Sequence, residues 1–78
     1  MELSRSNDAI VAYERVLEMD PDHEGALLNL AGIYASLGKW GSAESFLKHA
    51  TKTHPQSSLL HDFSAKFYAL PGAPQAPS

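Results

Sequence analysis

The sequence predicts an all-α fold: four antiparallel helices in helix-turn-helix repeats, a short fragment of a helical solenoid. Three observations lead there. Apolar residues recur at three- and four-residue steps through four segments, which is the period of a helix with one apolar face. Proline and glycine fall between those segments, at Pro21, Gly38, Pro55 and Pro71-Gly72, where they act as turn signals. The chain also matches itself when shifted by 34 residues. No segment alternates with the period of a strand.

The first helix, expected near 5–19, carries Ala9, Ala12, Tyr13, Val16 and Leu17 on one face. Ser4 or Ser6 is placed to cap it, and Asp20-Pro21 ends it because a residue before proline avoids the α region. The second, near 23–37, has Asp22 as candidate N-cap and Glu24 in its first turn, where negative charge suits the dipole. Its apolar set is Ala26, Leu27, Leu30, Ala31, Ile33, Tyr34 and Leu37, and Gly38 supplies a C-terminal glycine stop. The third, near 40–53, carries Ala43, Phe46, Leu47 and Ala50, with Lys48 and Lys52 towards its C-terminal end. The fourth, near 57–70, carries Leu59, Leu60, Phe63, Phe67 and Leu70. The Pro/Ala/Ser-rich stretch 73–78 is expected to be disordered. Connections of a few residues imply antiparallel neighbours.

Composition narrows function. The chain of 78 residues is one small domain, hiding only about 60% of the surface its unfolded form exposes. It has no cysteine, which excludes disulfides, thiol catalysis and Cys-containing zinc sites without assigning a compartment. Net charge is -3, and the six basic residues are scattered rather than gathered into a patch, against nucleic-acid binding. No apolar run is long enough to span a membrane. Of His23, His49, His54 and His61, the pair His49 and His54 is five apart, a poor match to the i,i+4 spacing of a helical metal pair, and three of the four sit near helix ends or turns, where solvated side chains are expected. No nucleophile motif or phosphate loop is present. The expectation is a non-enzyme with no cofactor and no metal.

Across the 34-residue shift, Leu3 meets Leu37, Ala9 meets Ala43, Pro21 meets Pro55, Ala31 meets Ala65, Tyr34 meets Tyr68, Ala35 meets Ala69 and Gly38 meets Gly72. Alanines permit close helix approach, and Pro and Gly set turns. A 34-residue helix-turn-helix period is a solenoid signature. The segment Leu27-x2-Leu30-Ala31-x2-Tyr34-x3-Gly38-x4-Ala43-x3-Leu47-x2-Ala50-x4-Pro55 resembles the tetratricopeptide repeat. Asp8-Ala9-x3-Tyr13-x2-Val16-x4-Pro21 resembles the second half of a preceding repeat, and Leu60 to Gly72 the first half of a following one. The resemblance divides the domain, residues 1–72, into a half repeat (3–21), a full repeat (22–55) and a half repeat or capping helix (56–72).

It also implies a function, binding another protein or an extended peptide along a groove lined by the first helix of each repeat. The groove residues implied are Gly25, Leu28, Asn29, Gly32, Ala35 and Ser36, with Leu59, Asp62, Phe63 and Lys66 from the last helix. Asn29 can donate and accept at once, which suits a peptide backbone; alternatively its amide is solvated or bonded to its own neighbours. Gly25 and Gly32 either admit a partner closely or serve packing between helices. Leu28 and Phe63 either floor the groove or belong to the core. One subtype of the family clamps acidic chaperone tails with basic residues beside such an asparagine. Leu59 and Phe63 stand at those places here, which disfavours that target.

On the last helix, His61 and Ser64 replace Leu27 and Leu30 of the full repeat, as suits a terminal helix. The apolar face of the first helix is left partly bare. Either further residues precede it, or a second copy covers it as a homodimer. An accessory role in a larger enzyme, positioning a substrate protein, is a further alternative.

Overall fold

The computed structural model describes residues 2–75, with side chains from Asn7 onward. Four helices follow in chain order: α1 (Glu2–Met19), α2 (Glu24–Ser36), α3 (Trp40–Thr53) and α4 (Ser58–Ala69). The described residues contain no strand, and none of their helices is long and apolar enough to cross a membrane. The four helices form a plate of 35 × 30 × 17 Å. α2 is its centre. It packs on α1, α3 and α4, most extensively on α3, whereas α1 touches only α2 among the described residues.

That central place explains the composition of α2. A helix with neighbours on three sides must be apolar around most of its circumference. Ala26, Leu27, Leu28, Leu30, Ala31 and Ala35 are all buried. α3 presents a single face, Ala43, Leu47 and Ala50, each at most 2% exposed. Alanines at Ala31, Ala43 and Ala50, all fully buried, let the α2 and α3 backbones approach closely. Tyr34 stacks on Phe46 with ring centroids 5.6 Å apart. α4 adds Leu60 and Phe67. Of the apolar residues read as one α4 set, Leu59 and Leu70 remain exposed, at 60% and 46%.

The termini correct several expectations. α1 begins at Glu2, so Ser4 and Ser6 lie inside it; their side chains, like that of Leu3, lie outside the described residues. α2 is capped by His23 and not by Asp22: the Ala26 N–H donates to His23 Nδ1 at 3.0 Å. The bond uses the ring nitrogen that carries no proton. Asp22 is engaged elsewhere. Its Oδ1 accepts from His49 Nε2 at 3.0 Å, and its backbone carbonyl accepts from His54 Nε2. Three of the four histidines thus hydrogen-bond at the α1–α2 turn, with His23 and His49 still exposed to solvent, as their places near helix ends suggested.

At the other end of α2, Gly38 has φ +77. Its N–H donates to the Ala35 carbonyl at 3.0 Å and the Lys39 N–H to the Tyr34 carbonyl at 2.9 Å. This is a full Schellman stop, available to glycine because it lacks Cβ. Gly72, its partner across the shift, does something different. Pro71 forces Leu70 to extended backbone (ψ 146). Ala73 N–H then donates to Leu70 O at 3.1 Å, and Gly72 takes φ +84, the arrangement of a type II turn. Residues 73–75 continue as irregular chain, with Ala73 and Pro74 half-buried; 76–78 lie outside the described residues.

Replacing His23 by alanine should destabilise the chain by about 1 kcal/mol, the usual worth of an N-cap. Urea denaturation followed by circular dichroism measures it. An unchanged midpoint would return the cap to Asp22.

Candidate functional site

α2 and α4 run side by side and present one shared face. Asn29 and Ser36 are exposed on α2, with Gly25 and Gly32 half-buried between them; Leu59, Asp62 and Lys66 are exposed on α4. Phe63 joins the two helices, because a Cβ built on Gly32 would lie 3.9 Å from its ring. That is ordinary contact, so the packing has room for an alanine at 32. Gly25 differs. A Cβ there would come within 3.1 Å of the His23 imidazole, so this glycine keeps space for the α2 cap.

The remaining implied groove residues divide. Leu28 is buried at 6% exposure and belongs to the core cluster, as does Ala35. The structure therefore places both beneath the face and not upon it. Phe63 is half-buried against that cluster and stacks on Phe67 with centroids 6.2 Å apart. Asn29 folds back, its Nδ2 donating to the Gly25 carbonyl at 2.7 Å. Ser36 Oγ likewise donates to Ile33 O at 2.7 Å. Both bonds are local and exposed, and such bonds contribute only about 0.5–1.5 kcal/mol net. They hold the side chains ready without locking them.

A groove of about 760 Å³ lies elsewhere, between α3 and α4. Leu47, Leu60, Ala65 and Tyr68 form its apolar part, and Lys48, Lys52, His54 and His61 its cationic part. His61 and Ser64, the polar departures on α4, both line it. Tyr68 crosses one end, its hydroxyl donating to Glu44 Oε2 at 3.2 Å. Glu44 also sits 3.8 Å from Lys48, an exposed i,i+4 pair worth little.

Burial, and then the hydrogen bond and negative charge of Glu44, raise the Tyr68 phenol above its ordinary value of 10.0. The folded chain therefore keeps this proton at a pH where the unfolded chain releases it. The stabilisation is complete below pH ~10 and is lost as pH rises from there through the native value. Tyr68→Phe should flatten that part of the profile. Melting temperatures of both forms between neutral pH and pH ~11 test this, and parallel curves would contradict it.

Among the described residues no three His, Cys, Asp or Glu side chains converge as a metal site. The chain matches the family described as tetratricopeptide repeat over residues 1–67. It is also 36% identical over 62 residues to the mouse (Mus musculus) protein O-mannosyl-transferase TMTC1, an alignment covering 80% of this chain. The chain spans only 7% of that relative's length. No solved structure matches it. Tetratricopeptide domains are generally non-catalytic scaffolds for protein–protein interaction. The 34-residue period of the sequence, the four-helix architecture and the match over residues 1–67 agree, and the chain belongs to the tetratricopeptide repeat family.

Proposed function

We propose that the α2/α4 face binds an extended segment of another protein, within a domain organised as half repeat 3–21, full repeat 22–55 and half repeat 56–72. The observation that carries this is the set of exposed and half-buried apolar side chains along α4 and at its C-cap. Leu59 is 60% exposed and Leu70 46% exposed, with half-buried Phe63 between them. Exposed large apolar residues, rimmed by Asp62 and Lys66, suit a partner's apolar side chains. Beside them Asn29 offers a backbone-matching amide once its bond to Gly25 O is exchanged. Gly32 supports the same reading. An interior helical glycine costs about 1 kcal/mol relative to alanine, and the packing leaves space for the methyl group. Close approach of a partner backbone is a reason to keep that position bare. Leu28 floors the face from below, and Gly25 and Ser36 border it.

Selection from a displayed random-peptide library, followed by calorimetry on the strongest binder, tests the proposal. Leu59→Asp should abolish binding, and Asn29→Ala should weaken it about tenfold, the loss of one good hydrogen bond. Gly32→Ala should stabilise the chain while weakening the peptide. A selected peptide indifferent to all three would bind elsewhere, and the assignment would fail.

The transferase named among the relatives favours a second reading, in which the same face positions a substrate protein for an enzyme to which the domain is attached. Both readings use the same residues. Joining the chain to the rest of its parent and measuring turnover of protein substrates with and without Leu59→Asp separates them.

A further inference from the structure

We infer that a second copy of this chain docks its α1 into the α3/α4 groove, giving head-to-tail assembly that continues the helical stack. The internal repeat carries the argument. Within one chain, α2 and α3 meet through Ala31 and Tyr34 on one side and Ala43, Phe46, Leu47 and Ala50 on the other. Ala31, Ala43 and Ala50 are fully buried there, and Leu47 is 2% exposed. Shifting by 34 residues turns the first set into Ala65 and Tyr68 of α4, and the second into Ala9, Ala12, Tyr13 and Val16 of α1. Each side of a packed interface is therefore present twice. One pair of sides is closed. In the other pair, Ala65 and Ala12 are exposed, and Ala9, Tyr13 and Val16 are half-buried.

The two open sides do not meet within one chain, since among the described residues α1 touches only α2. They can meet between chains, with α4 of one copy taking the relation to α1 of the next that α2 takes to α3. The small-against-small contact of Ala31 with α3 returns as Ala65 against Ala9. The larger residues of the open α1 face, Tyr13 for Leu47 and Val16 for Ala50, meet smaller partners on α4. There His61 and Ser64 stand for Leu27 and Leu30, and the groove beside them offers about 760 Å³.

Charge sets the approach. Apart from the Tyr68 phenol, which is neutral at ordinary pH, the ionisable residues lining the groove are Lys48, Lys52, His54 and His61, with no carboxylate among them. From Asn7 to Asp20, the first helix and its end carry Asp8, Glu14, Glu18 and Asp20 against Arg15 alone. Glu14 and Glu18 lie away from the Ala9/Ala12/Val16 stripe, so their charge steers encounter at the range of a Debye length while the stripe makes the contact. Such an interface is heterologous, with two different patches, and it grows into open chains instead of stopping at a dimer. It is more polar than the intrachain joint, and so the weaker of the two.

Two variants at exposed positions test this without disturbing the core, Ala12→Glu on α1 and Ala65→Glu in the groove. Circular dichroism confirms that both fold. In analytical ultracentrifugation the wild-type mass should rise with concentration past that of a dimer. Each variant alone should remain monomeric. Mixed in equal amounts they should form a one-to-one pair and go no further, because Ala12→Glu retains a good groove and Ala65→Glu a good α1. A wild-type plateau at dimer that survives Ala65→Glu would mean a symmetric α1–α1 contact and overturn the inference. A monomer at all concentrations would overturn it too, leaving the groove to a helix of other origin.

Discussion

Leu30→Ala should lower the unfolding free energy by about 2–5 kcal/mol. Leu30 is fully buried, one of the two largest side chains so enclosed. It sits in the helix on which the other three pack, and a cavity there cannot close without moving α2 itself. Small domains are marginal, with total stabilities of only about 5–15 kcal/mol in typical cases, so the variant should populate the unfolded state substantially without denaturant. Urea titration followed by circular dichroism reads the shift. Leu30→Met, which keeps the volume, should cost less than about 1.5 kcal/mol and identifies lost packing as the cause. A folded, undiminished Leu30→Ala variant would contradict the register of α2.

Phe67→Ala should cost about 3–5 kcal/mol, with the loss concentrated in one helix. Phe67 is 2% exposed and touches three other rings. Trp40 meets it edge-on at 5.5 Å, Tyr68 edge-on at 5.0 Å, and Phe63 stacks at 6.2 Å. Of the three, the Trp40 contact is the one that leaves α4, and it matters because α4 rests on α2 and α3 far more lightly than those two rest on each other. Elements held by few contacts open first. Amide hydrogen exchange should therefore accelerate through Ser58–Ala69 more than through α2 and α3. Uniform acceleration through all four helices would show that α4 does not open on its own.

The fold was legible because two independent signals coincide. Apolar spacing locates the helices, and Pro21, Gly38, Pro55 and Pro71-Gly72 separate them; the observed boundaries fall within three residues of those read from the sequence. The features that stayed hidden are contacts that depend on partners far along the chain. Asp22 reads as a cap by residue type, but His49, 27 residues away, draws its carboxylate aside and leaves the cap to its neighbour. Nothing local distinguishes the two positions. For Leu28 the resemblance left two readings, groove floor or core, and α2, enclosed on three sides, buries it in the core. The length of an apolar circumference, more than the direction of one stripe, was the signal for that. Asn29 offered two readings, and the structure displays the local one in the free chain. Residues near the α3/α4 groove were legible in part, since His61 and Ser64 break the apolar pattern where a further helix would lie.

Trp40 is the only tryptophan in the chain. Phe67 of α4 meets its indole edge-on, and a Cβ added to Gly72 would lie 3.6 Å from the indole nitrogen. The molecule thus carries its own optical gauge at the seam between α3 and α4. Excited at the red edge, where tyrosine is silent, its emission should shift to longer wavelength whenever α4 lifts away. A label-free spectrum can then track docking and release of that helix, as peptide, denaturant or a second copy is added.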